Sequence, residues 1–256
     1  MSESFERKPH VDLNMPSRAL KARKIEALLD LNEHSEGGRL LEVGTGSGGI
    51  AYYFARHAHA VWDVVAVDVV DNRQLNEGYE FRLIGGCELP FPSENFDVVI
   101  SNHVVEHVGD KRAQLLHLKE LRRVLRPDGR GYLAVPNRWM LVEPHYRLPF
   151  LSWLPSRLAD AYVRRSGKGP VYDCRPLTVD TLEPMLREAG FEFVQQHGAA
   201  LHMTYQLERP EALIYRRLLR HVPGALYAAT RKQFPTLIYV LRAASEKRAP
   251  KITKAG

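Results

Sequence analysis

Two hydrophobic periods alternate along the chain. Short apolar runs at 40–43, 61–70, 79–84, 96–101, 131–135, 191–196 and 235–243 are rich in β-branched residues and predict strands. Between them, 17–31, 111–125 and 177–190 carry apolar residues at helical spacing, as on the face Leu20, Ile25, Leu28 and Leu29, and predict amphipathic helices. Ser17 behind Pro16 is the expected N-cap of the first helix, Arg126-Pro127-Asp128-Gly129 the stop of the second, and Gly190 the stop of the third. This alternation predicts an α/β domain. Four stretches fall outside it. Residues 1–15 read as a flexible arm, 138–176 as a proline- and aromatic-rich insertion, 201–233 as connecting helix broken at Pro223-Gly224, and the stretch after Ser245 as a disordered tail.

Composition narrows the class. A chain of 256 residues, 45% hydrophobic and 26% charged, is large enough for one core domain with an elaboration. No apolar run reaches the roughly 18–20 residues of a spanning helix and the N-terminus is polar, so a cytoplasmic location is expected. Cys87 and Cys174 lie far apart without a C-x-x-C pair, which excludes a zinc ribbon and predicts packing residues. The net charge of +6 gathers late in the chain, where Arg209, Arg216, Arg217, Arg220, Arg231 and Lys232 precede the basic tail. Leu213, Ile214, Leu218 and Leu219 interleave with them. Two readings follow: a solvated helix with a tail, or a basic amphipathic surface for peripheral membrane contact or a phosphorylated substrate. No RNA-binding module is visible, and no nucleic-acid partner is expected.

The first strand meets glycines at alternate positions, Gly44, Gly46 and Gly48, in L-L-E-V-G-T-G-S-G-G. Dinucleotide folds space them G-x-G-x-x-G. The spacing here, with Glu42 inside the strand, resembles motif I of the class I S-adenosylmethionine (SAM)-dependent methyltransferases. The resemblance implies that Gly44, Thr45 and Gly46 approach the methionine end of SAM and that Glu42 holds the turn and the ligand's ammonium. Asp68, at the tip of the second strand with Val69 beside it, is placed to accept both ribose hydroxyls. Asp71 is the second choice, and a turn aspartate capping the next helix is the alternative.

Leu89, Pro90, Phe91, Phe96, Asp97 and Val98 resemble the L-P-F-x-x-x-x-F-D-V segment of the type 11 methyltransferase subgroup, and L-R-P-D-G-R-G-Y-L-A-V-P-N resembles its continuation. The likeness covers about 39–137, more weakly to 244. One departure is Gly85, where the family commonly has an aspartate for adenine, so adenine falls to Gly86, Cys87 or Glu88. The implied fold is α/β: a Rossmann-like, doubly wound seven-stranded sheet, mostly parallel, with an antiparallel last strand at the sheet's end and a cap inserted after strand five. The expected divisions are an arm and helix (1–38), a SAM-binding core (39–137), a substrate cap (138–176), the rest of the sheet (177–244) and a tail (245–256).

Residues just past a strand's end line the crevice of a parallel sheet, which puts Asn102 and His103 near the cofactor. His103, Glu106 and His107 stand at i, i+3 and i+4, one face of a helix. H-x-x-E-H has the letters of an inverted zinc-protease motif, but nothing else here supplies a protease. The segment is also similar to ubiquinone-pathway O-methyltransferases, which have a glutamate at the His103 position and use such a cluster for a divalent ion. Other relatives keep E-H without metal, and no metal site is expected. Past strand five, His145 in E-P-H-Y is a candidate base for a hydroxyl acceptor, with a rigid turn as the equal alternative. His103, His107 and His145 are the catalytic candidates. Asn137 is a further pocket residue, and Phe150, Leu151, Trp153 and Leu154 form either an apolar wall or a core contact. The segments P-H-Y-R-L-P-F and L-P-F-L-S-W-L-P are similar to methyltransferases of bacterial surface polysaccharides and glycolipids. A small-molecule or glycan acceptor follows: a sugar, glycolipid or lipid-linked glycan first, a quinone or other small natural product second. A non-catalytic SAM-fold binding subunit is the remaining alternative, and the oligomeric state stays open.

Overall fold

The computed structural model describes residues 14–31 and 37–244. Residues 1–13 of the expected arm (1–15) and the expected tail (from 245) lie outside them, while Asn14 and Met15 already belong to the cap and first turn of a helix. Five strands, β1 (Gly38–Val43), β2 (Trp62–Asp68), β3 (Glu80–Leu83), β4 (Phe96–Asn102) and β5 (Leu125–Pro136), pair in parallel in the order β3-β2-β1-β4-β5. Helices α1 (Met15–Leu28), α2 (Gly49–Arg56) and α3 (Lys111–Val124) lie before β1, between β1 and β2, and between β4 and β5. Next come a two-stranded hairpin, β6 (Val142–Glu143) with β7 (Leu148–Pro149), and α4 (Ser156–Arg165). The chain then returns through α5 (Val179–Glu188), β8 (Phe191–Gln195), α6 (His197–Glu208), α7 (Leu213–Arg217), α8 (Gly224–Ala229) and β9 (Thr236–Ala243). β9 is antiparallel to both its neighbours. It sits between β5 and β8 rather than at the sheet's end, so β8 is the edge.

Alternation along the strands builds two cores. Leu41, Val43, Val65, Val67, Val99 and Leu133 face Leu118, Leu121 and Val124 of α3 and Leu182 and Leu186 of α5. Leu40, Val64, Ala66, Val98 and Ile100 face the other way, onto Ile25 of α1, Ile50 and Phe54 of α2, and Ala200 of α6. Strands covered on both faces read as continuous apolar runs, and each fully buried aliphatic side chain contributes about 1.5–3 kcal/mol.

Local signals moved several boundaries. Asn14, not Ser17, caps α1, its side chain accepting the Ser17 N–H at 3.1 Å. α3 stops at Val124, where Arg126 to Gly129 signal an end, but these residues then belong to β5: Phe96 pairs with Leu125 and Val98 with Arg130, so they bulge within the strand. Arg126 is tied to Asp97 by an ion pair there. The region 201–233 is helical and breaks at Pro223-Gly224 as expected, with a further division into the end of α6, α7, a 3-10 turn and α8. Asn137 does not serve the pocket. It is buried, and its amide donates to the carbonyls of Lys232 and Phe234 at 2.8 Å each, holding the approach to β9.

In 138–176, Tyr146, Leu148, Leu151, Ala159, Val163 and Cys174 form a third, separate core cluster. Leu151 is a core contact, whereas Phe150 and Trp153 stack edge to face at 5.1 Å and stay exposed.

Candidate active site

The strand order reverses between β1 and β4, which opens a crevice beyond their C-terminal ends. The glycine turn forms one wall. Gly44, Gly46 and Gly48 all have positive φ, and a Cβ on Gly44 would stand 2.4 Å from a Val104 methyl. Only glycine fits there without strain. Below the turn, Glu42 is buried, and its Oε2 accepts the Thr45 hydroxyl at 2.7 Å and the Ala51 N–H at 2.9 Å. Among the described residues its Oε1 has no hydrogen-bond partner. Burial, opposed by Arg18, Thr45 and Ala51, pushes this carboxyl up to about 7. An orphaned buried carboxylate oxygen beside a glycine turn fits the ammonium of SAM.

Asp68 ends β2. Its Oδ2 accepts the Gly46 N–H at 2.8 Å and its Oδ1 the Val69 N–H at 2.7 Å, so it braces the turn. Each oxygen keeps a lone pair for a ribose hydroxyl. Ile84 N–H donates to the Asp68 carbonyl at 2.9 Å, which brings the loop from Gly85 to Glu88 beside it. A Cβ on Gly85 or Gly86 would meet open space. Cys87 is half-buried with its thiol 3.6 Å from the Ala113 carbonyl, and Glu88 is exposed.

Asn102 closes β4 as a buried residue, and His103 follows with φ at 60°, a left-handed conformation rare for a side-chain-bearing residue. The expected helical face is instead this kink plus a short 3-10 turn, Val105–His107. It still assembles the three side chains. Glu106 is fully buried, its Oε1 3.3 Å from His103 Nδ1 and 3.9 Å from His107 Nε2, so the two imidazoles are the cationic partners it faces. Burial opposes its ionisation, but His103 and His107 outweigh that and hold the carboxyl below its ordinary value. Asn102 and His103 also line a cavity of about 240 Å³ with Lys21, Lys24, His197 and Phe234, between α1, α6 and the sheet.

His145 reaches the same cluster from the turn between β6 and β7. Its Nδ1 lies 2.7 Å from Oε1 of the fully buried Glu143, whose Oε2 accepts the Tyr146 N–H at 2.7 Å. Burial disfavours the imidazolium, yet Glu143, Glu106 and Asp173 together raise the His145 pKa above its ordinary value. The His107 and His145 rings meet edge to face at 5.0 Å. Cys174 Sγ stands 3.7 Å from Nδ1 of each, and Asp173 accepts the Tyr146 hydroxyl proton at 2.7 Å. Cys174 and Asp173 were not singled out as site residues in the sequence: no spacing links 174 to 107 or 145, and only the fold joins them.

The "Methyltransferase domain" family model matches residues 41–133, from β1 into β5. The ubiquinone/menaquinone biosynthesis C-methyltransferase of Vibrio campbellii is 27% identical over 204 residues, 70% of this chain and 75% of the relative. A SAM-dependent methyltransferase structure from Mesorhizobium loti superposes with a TM-score of 0.56 at 16% identity, over 87% of this chain and 99% of that one. The [4+2]-cyclase SpnF superposes at 0.53 and 17% identity, over 93% and 86%. At such identities structural likeness speaks for the fold alone. Among the described residues no helix is long and apolar enough to cross a membrane. Sheet order, the matched segment and the methyltransferase relative agree: residues 41–133 carry a methyltransferase domain, in a sheet of the kind found in class I SAM-dependent methyltransferases, with SAM as the methyl donor.

Proposed function

We propose that the chain methylates a hydroxyl-bearing small molecule with His103 as general base. The supporting observation is the pairing of His103 Nδ1 with the fully buried carboxylate of Glu106 at 3.3 Å, at the end of β4 and at the edge of a cavity. SAM, when bound, supplies an activated methyl carbon with its own leaving group. The protein's share is to align the acceptor and remove its proton. Glu106 beside Nδ1 favours the Nδ1–H tautomer and leaves the Nε2 lone pair turned to take the acceptor's proton. In this reading Glu42, Gly44, Thr45, Gly46 and Asp68 hold the methionine and ribose parts of the donor. Val69, Gly86, Cys87, Glu88 and Asn102 line the remainder of its site. Residues 138–176 cap the acceptor side of the 39–137 core.

For the acceptor, a sugar or lipid-linked glycan is the first reading. It draws on the likeness of the 144–155 segments to surface-glycan enzymes and on the exposed Trp139, Leu141, Phe150 and Trp153 of the cap, a surface suited to a lipid carrier. Peripheral membrane contact through Leu213, Ile214 and Leu218, interleaved with Arg216, Arg217 and Arg220, belongs to the same reading. A phenolic quinone precursor is the second reading, favoured by the Vibrio relative. One base serves both, because a deprotonated ring hydroxyl activates its oxygen and the adjacent ring carbon.

The test is calorimetric titration with SAM, then a mass-spectrometric product screen over glycans, quinols and phenols. Absence of SAM binding at millimolar concentration refutes the donor site. On the acceptor found, His103→Ala is expected to lower kcat by about 10²–10⁴-fold with SAM affinity unchanged. An unchanged rate removes His103 from the mechanism.

A further inference from the structure

We infer that His107, His145 and Cys174 form a binding site for a borderline-soft divalent cation of the zinc class. The three come from separate parts of the chain: the 3-10 turn after β4, the turn between β6 and β7, and the segment entering α5. Their donor atoms all lie within 4.8 Å of one another. The thiol sulfur is 3.7 Å from Nδ1 of each imidazole. Zn–S of about 2.3 Å and Zn–N of about 2.0–2.1 Å at a tetrahedral angle put sulfur and nitrogen about 3.6 Å apart, so the ligands need little movement to close on an ion.

The surroundings fit a cation. Cys174 is buried among the carboxylates of Glu143, Asp173 and Glu106. These acids repel a thiolate, and a doubly charged ion beside the sulfur removes that conflict. Each imidazole also has a carboxylate. Glu106 faces Nε2 of His107 from 3.9 Å, opposite the nitrogen turned to sulfur, in the manner of the carboxylates that orient metal-binding histidines. Glu143 Oε1, 2.7 Å from His145 Nδ1, is left next to the ion once that nitrogen ligates, where it can supply a fourth, oxygen ligand. Loading releases the Cys174 thiol proton and the proton shared between His145 and Glu143. The ion pins the 138–176 segment to the end of β4. The site stands whether or not His103 is the base.

The test uses the full chain stripped of metal with a chelator and titrated with Zn²⁺ or Co²⁺ alone, with no acceptor present. About one equivalent is expected to bind, with proton release shown by buffer-dependent heats. The Co²⁺ form should show a thiolate charge-transfer band in the near ultraviolet and the intense visible bands of a tetrahedral site. Cys174→Ser is expected to remove the charge-transfer band, Cys87→Ala to keep it, and Glu143→Gln to weaken Zn²⁺ binding by about 10–100-fold. If Cys174→Ser fails to fold by circular dichroism, the Glu143→Gln affinity and the Cys87→Ala spectrum decide. No stoichiometric binding at micromolar metal, or a band that survives Cys174→Ser, overturns the site. SAM titration of the stripped chain reports separately on the methyl-donor site, so failure of one reading leaves the other readable.

Discussion

In the proposed donor site, Glu42 makes the donor's affinity depend on pH, a readout that needs no acceptor. Its carboxyl is fully buried and titrates at about 7, raised by burial against the pull of Arg18, Thr45 and Ala51. If SAM's ammonium pairs with the ionised form as proposed, binding weakens as pH falls through that value. The ionised fraction drops from about one half at pH 7 to about 3% at pH 5.5, so Kd should rise about 16-fold, close to 1.6 kcal/mol. Measurements stay below about pH 7.5 so that the donor's amino group keeps its proton. Linkage gives a second readout in the free protein. The folded pKa lies above the unfolded value of about 4.5, so the folded state binds more protons between the two, and stability falls as pH rises from about 4.5 to 7, by about 3 kcal/mol from this group. The assays are calorimetric Kd values from pH 5.5 to 7 and urea unfolding across pH 4.5 to 7.5, on the natural chain and Glu42→Gln. The variant should bind SAM weakly and lose this group's share of both pH dependences. A wild-type Kd flat to within twofold over that range refutes the pairing of Glu42 with the ammonium.

Asp68→Ala should weaken SAM binding by about 10–100-fold, since it loses its ribose bonds and its brace on the Gly46 N–H, each charge-assisted and worth about 1.5–3 kcal/mol; titration calorimetry reads it, and an unchanged Kd moves the ribose to Asp71. Gly44→Ala places a methyl 2.4 Å from Val104 at a φ of 78° and should cost about 1–3 kcal/mol, read as a lowered Tm; a neutral effect contradicts the tight turn. Replacing Arg216, Arg217 and Arg220 with Glu should abolish cosedimentation with vesicles rich in anionic lipid, each lost cation removing about 1 kcal/mol; equal partitioning of both proteins ends the membrane reading.

The periodic parts of the molecule were legible because burial on both faces imposes continuous apolar runs, and the glycine turn because positive φ admits few other residues. What misled was local chemistry overruled by the sheet. Arg126-Pro127-Asp128-Gly129 does end α3, yet pairing with β4 carries the same residues into β5 as a bulge, and Asn137 looks like a pocket amide but serves the Lys232 and Phe234 carbonyls. The candidate site was half legible. Glu42, Asp68, Asn102 and His103 follow from their places at strand ends. Cys174 does not, because its approach to His107 spans 67 residues and a hairpin whose course no local signal sets.

The place of β9 has a consequence for how the chain folds. β5 presents the longest edge of the parallel sheet, and its partner arrives roughly a hundred residues later. During synthesis at about 5–20 residues per second, that edge waits on the order of 5–20 s. Until then Leu133 and Val135 border unpaired backbone, and β8, already made, has no strand to join. Closure is a late, non-local event that completes the sheet from the middle, so a nascent chain halted before 236 exposes an open edge where strands of other molecules can add.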